Sequence, residues 1–297
     1  MATSVLSDPL PAVPRAPRPR ALPTAGVVAV PIADLRRRAD HASELVNQVL
    51  FGECVQVRRI GPDRRWLLVA SEEDGYAGWM RSWSLALGDA AAAARWRRQA
   101  RRIVDRPWLE RREAPGGALP FGARLARGRD GRLIGPLGPL AMRALTARDT
   151  AALPPAGRGA PERGRRMVAT ARRFLGAAYH WGGRSFAGVD CSGLVQLVAR
   201  RHGLVLPRDA RQQCAAVGGV ARLRPLAAVA GARPRPGDLW FFGPNPGSVT
   251  HVALSTGGFG LIHAYGSVRP GSLDPLAAAF EPELFRFVLG WKSLPAK

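Results

Sequence analysis

Lysine is almost missing from this chain: Lys292 and Lys297 are the only two. Arginine therefore supplies nearly all of a formal net charge of +22. Cysteine is also scarce, with only Cys54, Cys191 and Cys214. A small, odd number argues against a disulfide framework and suits a reducing compartment. No run of about 18 apolar residues is present, so no membrane-spanning helix is expected. Met1 to Ala25 is polar and Pro-rich and lacks a run of roughly 7–15 apolar residues, so a cytoplasmic protein without a secretory signal is expected. No nucleic-acid-binding motif occurs in its required context. The charge itself has two readings. A basic surface attracts polyanions such as nucleic acid or wall polymers. A genome rich in G and C raises Arg, Ala, Gly and Pro together, and Gly 34 and Pro 26 agree with that.

At 297 residues with 46% hydrophobic and 22% charged content, the chain can bury a core. Its length suits about two domains of roughly 150 residues, or three if small barrels are among them. Residues 1–25 read as a disordered leader held extended by Pro9, Pro11, Pro14, Pro17 and Pro19. Residues 26–90 read as a small β-barrel. Cys54-Val55-Gln56-Val57 alternates, Trp66–Val69 and Tyr76–Met80 follow, and Gly61-Pro62-Asp63 and Ser71–Gly75 supply the reversals. Residues 91–152 read as a helical connector followed by a second small barrel. Leu153 to Pro161 is a Pro/Gly linker, and 153–297 reads as a mixed domain. There Met167, Ala171 and Phe174 recur at helical spacing. Cys191–His202 reads as a helix capped by Asp190 and ended by Gly203. Strands are expected at Asp238–Phe242, Val249–Ser255 and Gly260–Tyr265. A helix-start thiol before a sheet carrying histidines is an α+β arrangement.

Cys191 stands where unpaired backbone N–H groups and the helix dipole favour a thiolate. Cys54 and Cys214 lie in a strand pattern and an Ala-rich stretch, and read as structural. A cysteine nucleophile needs a base, and the base needs orienting. His251 and His263 are symmetric about Gly257, so a glycine hairpin would set them opposite each other on one face. A metal site is the rival reading, but two His and one Cys without an acidic ligand is thin. No metal or cofactor is called for. His202 fits a charge at a helix C-terminus.

Tyr179-His180-Trp181-Gly182-Gly183, Asp190-Cys191-Ser192-Gly193, Pro236-Gly237-Asp238-Leu239, Thr250-His251-Val252-Ala253 and Ile262-His263-Ala264 occur in that order. Together they resemble the NlpC family of papain-like cell-wall cysteine peptidases over about residues 160–290. The resemblance implies Cys191 as nucleophile, His251 as base, His263 as its orienting partner and Tyr179 at the oxyanion. Ser43–Gln48 and Asp74–Trp79 resemble the first bacterial SH3 domain of the γ-D-glutamyl-L-diamino acid endopeptidases, thiol proteases of muropeptide recycling. That implies a substrate site of Glu44, Tyr76, Trp181, Asp190 and Ser192 holding the free amine of an N-terminal L-Ala. Arg208 is a candidate for carboxylate recognition and Asp209 for structural pairing. Ala210 stands where relatives often carry a substrate-contacting serine. The implied fold is a papain-like α+β domain behind two SH3-like barrels. The implied reaction is hydrolysis of the γ-D-Glu–diamino acid bond of peptidoglycan-derived peptides. An N-acetylmuramoyl-L-alanine-type amidase and a non-catalytic wall- or polyanion-binding protein are the alternatives.

Overall fold

Alternating apolar residues call for strands in the first third of the chain, and the computed structural model of the protein arranges them as one antiparallel sheet. The structure describes residues 22–111, 117–142, 146, 148–153, 160–220 and 234–294. Nearly all of the Pro-rich leader, and most of the 153–161 linker, lie outside these. Strands β1 (Ala25–Val28), β2 (Ile32–Arg36), β3 (Leu45–Leu50), β4 (Cys54–Ile60), β5 (Trp66–Ser71), β6 (Ala77–Arg81) and β7 (Leu85–Gly88) lie in the order β3-β2-β6-β5-β4-β1-β7. Leu35, Val49, Leu67, Val69 and Met80 form its inner layer. The ladder runs from one edge strand to another, so the expected barrel is an SH3-like sheet that does not close. Helix α1 (Ala90–Gln99) follows, capped by Asp89, whose side chain accepts from the Ala92 amide.

The second barrel is not what forms next. Seven short strands follow: β8 (Arg102–Val104), β9 (Trp108–Leu109), β10 (Leu119–Pro120), β11 (Arg124–Arg127), β12 (Leu133–Gly135), β13 (Gly138–Pro139) and β14 (Thr150–Ala152). Five make an open sheet, β13-β12-β11-β8-β14, and β9 and β10 pair separately. The apolar residues explain this. Leu119, Leu125 and Leu133 pack on Phe51 from the first sheet, while Phe121 packs into the C-terminal core against Phe174. The segment buries itself against its neighbours rather than around an axis of its own.

The C-terminal part is the expected α+β arrangement. Helix α2 is Ala160–Arg172, a β15 (Arg184–Ser185) and β16 (Gly188–Val189) hairpin follows, and then come α3 (Cys191–Arg201) and α4 (Ala210–Ala216). A five-stranded sheet holds β17 (Leu239–Phe242), β18 (His251–Gly257), β19 (Gly260–Tyr265), β20 (Ser267–Ser272) and β21 (Val288–Lys292), in the order β20-β19-β18-β17-β21. A short helix α5 (Pro282–Arg286) precedes β21. Helix α3 is buried from Cys191 to Arg200, and Gly203 at φ +79° lets the chain turn away behind it. His202 at its C-terminal cap is not the charge expected there. Burial lowers its pKa to about 4, and its Nε2 lies 2.9 Å from Thr170 Oγ1.

Three chain segments meet across buried charges. Glu53, before β4, pairs with Arg184 and Arg200 of the C-terminal part, all three side chains buried. Arg200 also pairs with Glu73 at 2.8 Å, and Glu73 pairs with Arg124 of the middle sheet. Asp105 receives Arg173 at 3.0 Å and Arg201 at 2.7 Å. No helix among the described residues is long and apolar enough to cross a membrane.

Candidate active site

Asp190 fixes the start of α3. Its carboxylate accepts from the amides of Gly193 (2.7 Å) and Gly182 (2.9 Å), from Ser192 Oγ (3.2 Å), and from Arg208 Nη1 (2.9 Å) and Nη2 (2.5 Å). Five donors occupy its lone-pair directions, so Asp190 holds the thiol's helix end in place. Arg208 is 1% exposed and also donates to Asn47 Oδ1 (2.7 Å) and Ser192 Oγ (2.9 Å). Arg208 is therefore not free for the carboxylate recognition expected of it, while Asp209 pairs structurally as expected, in a capping box at the start of α4. Arg208 is itself a structural partner, and its guanidinium has no free side for a substrate carboxylate. Asp209 faces a cavity and accepts from the Tyr76 hydroxyl.

That cavity, of about 500 Å³, has Cys191 and Tyr179 on one side and Val249 and Thr250 on another. Glu44 and Tyr76 of the first sheet line it as well, so both halves of the predicted site face one space. Trp181 is 60% exposed at its rim and donates its Nε1–H to Glu44 Oε1 at 2.9 Å. Glu44 Oε2 accepts from Arg37 Nε at 2.5 Å. These two bonds, Arg37's first, hold the Glu44 carboxyl below its ordinary pKa. Ala210 and Arg211 also line the cavity.

Burial pushes the Cys191 thiol up to about 11, and the negative Asp190 adds to it. The Val252 and Ser192 amides act the other way and are outweighed. The lowered pKa expected from the helix start is thus overridden by desolvation. His251 moves oppositely, down to about 3, through burial and then through His263. Tyr179 is pushed to about 12 by burial and then by Cys191, so its hydroxyl keeps its proton and can donate.

The histidines meet, though not directly opposite. Leu254 pairs with Ile262 and Gly257 with Gly260, so the two-residue turn is Gly258-Phe259. The register is shifted by two from symmetry about Gly257. His251 and His263 are diagonal neighbours on one face, within reach across a ladder. His251 Nε2 lies 3.0 Å from His263 Nδ1, which leaves Nδ1 as the other ring nitrogen of His251. Behind them lie two residues that sequence reasoning missed. His263 Nε2 is 3.4 Å from Glu281 Oε1, and Arg269 grips Glu281 twice at 2.9 Å. Glu281 lies 18 residues beyond His263, past a strand and a loop, and no spacing rule points to it.

Residues 176–278 match the NlpC/P60 family, and residues 35–85 match the bacterial dipeptidyl-peptidase Sh3 domain. The chain carries an NlpC/P60 peptidase domain behind a bacterial SH3 domain. A γ-D-glutamyl-L-lysine dipeptidyl-peptidase of Bacillus cereus is 35% identical over 112 residues, 37% of this chain and 31% of that protein. Dipeptidyl-peptidase 6 of Lysinibacillus sphaericus is 33% identical over 121 residues, 40% of each. The matches thus span about a third of the curated relatives' length. The crystal structure of an NlpC/P60 family protein from Bacillus cereus superposes with a TM-score of 0.72, covering 92% of this chain and all of that one at 21% identity. At that identity the likeness shows a shared fold.

Proposed function

We propose that this protein is a cysteine peptidase that hydrolyses the γ-D-Glu–diamino acid bond of wall-derived peptides bearing a free N-terminal L-Ala. The carrying observation is the cavity itself, which joins Cys191 to the Glu44–Trp181 contact between the two parts of the molecule. Relatives named γ-D-glutamyl-L-lysine dipeptidyl-peptidases support the same bond. In this reading Cys191 Sγ attacks the γ-carbonyl carbon while His251 Nδ1 takes the thiol proton. The oxyanion is met by the Cys191 amide, an orphan donor at a helix start, and by the Tyr179 hydroxyl. The C–N bond breaks as His251 returns the proton to the leaving amine. Water then hydrolyses the thioester, with His251 accepting its proton.

The carboxylates of Glu44 and Asp209, with the Tyr76 hydroxyl, surround the place for the substrate's ammonium. A γ-linked D-Glu keeps its α-carboxylate, which needs a cation. Arg208 is neutralised by Asp190, whereas Arg211 is exposed on the cavity wall. Arg211 therefore takes the role first assigned to Arg208. The test is mass spectrometry of products from L-Ala-γ-D-Glu-diaminopimelate and from its N-acetylated analogue. The free peptide should yield L-Ala-γ-D-Glu and the diamino acid, with kcat/KM at least about tenfold above the blocked one, the worth of one charge-assisted hydrogen bond. Equal rates on both would remove the closed-end reading, and no cleavage of either would remove the bond assignment.

A further inference from the structure

The histidine pair can work only in one of its proton arrangements, and the pair alone does not select it. For His251 Nδ1 to accept the thiol proton, His251 must carry its own proton on Nε2 and donate it to His263 Nδ1. That requires His263 to keep its proton on Nε2. In the opposite arrangement His263 donates through Nδ1, and His251 then turns an N–H toward Cys191 and is no base. Glu281 stands at His263 Nε2, and a carboxylate only accepts.

We infer that Glu281 is the positioning residue that sets the proton arrangement of both histidines, with Arg269 holding its carboxylate in line. The geometry is a chain: His251 Nε2 to His263 Nδ1 at 3.0 Å, His263 Nε2 to Glu281 Oε1 at 3.4 Å, then Arg269 Nε to Oε1 and Nη2 to Oε2, both at 2.9 Å. His263 is 1% exposed, so water does not compete with Glu281 for its Nε2 proton. Gly271 leaves the room Glu281 needs, since a Cβ there would come within 2.9 Å of Glu281 Cγ. As His251 becomes cationic it donates through both nitrogens, and the carboxylate two bonds away stabilises that charge.

This rests on the reading of Cys191 and His251 given above, and the experiment separates the two. Steady-state kinetics on the free tripeptide are measured for the parent, Glu281→Ala, Glu281→Gln, His263→Ala, the His263→Ala/Glu281→Ala double variant and Cys191→Ala. Glu281→Ala should lower kcat by about tenfold or more with KM nearly unchanged, because wrong-tautomer effects on a catalytic imidazole fall on turnover. Glu281→Gln, which accepts or donates, should fall between. In the His263→Ala background the Glu281→Ala change should cost nothing further, since its only route to His251 is gone. A Glu281→Ala kcat within twofold of the parent overturns the inference. So does an equal fractional loss in both backgrounds, which marks a merely structural role. Turnover surviving Cys191→Ala overturns the reading of the site and the inference with it.

Discussion

At Cys191, burial and the helix start act in opposite directions, and burial prevails. The thiol at about 11 and the imidazole at about 3 mean that the free pair rests as neutral thiol and neutral imidazole. A lowered imidazole pKa keeps His251 unprotonated, hence a base, at every pH above about 3, and a raised thiol pKa keeps the proton to be transferred until about 11. The kcat/KM profile should therefore show no limb from this pair between about pH 5 and pH 9. A bell with both limbs inside that window would instead reveal a thiolate–imidazolium pair. Cys191→Ala should abolish turnover with the fold retained. Cys54→Ala and Cys214→Ala should keep most of it, because both thiols are buried away from the cavity lining. His263→Gln should keep more kcat than His263→Ala, since it still offers His251 an acceptor. Cys191, His251, His263 and Tyr179 stood out in the sequence because each sits in one of the short motifs that carry the NlpC resemblance. Arg211 and Glu281 did not, because a single charge in an otherwise ordinary segment carries no spacing signal.

Among the elements, α3 and the β18–β19 hairpin carry the site, and they were read unequally well. The helix was legible end to end, from the Asp190 cap to the turn at Gly203, because caps are written in residue types. The hairpin was legible as a hairpin but its register was not. Gly257, Gly258 and Gly260 allow several turn centres, and the ladder pairs choose among them. Helices α4 and α5 and strands β20 and β21 were not anticipated, being short segments whose apolar positions are set by what they pack on. Arg208 gives the element-scale prediction. Removing its guanidinium leaves Asp190 buried without its counter-charge, at a cost of about 3–5 kcal/mol. Arg208→Ala should therefore lower urea-measured stability by that amount and slow turnover by loosening the start of α3.

Over the whole molecule, the sequence suggested two beads ahead of the peptidase domain, and the second is instead an open sheet wedged between its neighbours. Apolar alternation reports that strands exist but not what they lean on, so Phe121's place in the C-terminal core was not readable. The same wedge brings Arg124 to Glu73, beside the Glu53–Arg184–Arg200 cluster. Burial alone would push Glu53 up, but Arg184 and Arg200 outweigh it and hold it at about 2 instead of 4.5. A carboxyl depressed in the folded state stabilises that state above its unfolded pKa and loses the contribution as pH falls through the folded one. This contribution is whole above about pH 4.5 and gone near pH 2. Glu53→Gln should lower stability by about 3–5 kcal/mol at neutral pH, and urea titrations should show a flatter acid dependence over that interval. The joint so built makes the Glu44–Trp181 contact a gauge. Its two halves are 137 residues apart in the chain yet meet at one fixed place beside the thiol's cavity. On the proposed reading, the Arg37–Glu44 loop, which lines the same cavity as Cys191, sets how long a peptide fits there. Lengthening or trimming that loop would re-grade the molecule for longer or shorter substrates while leaving the cutting edge untouched.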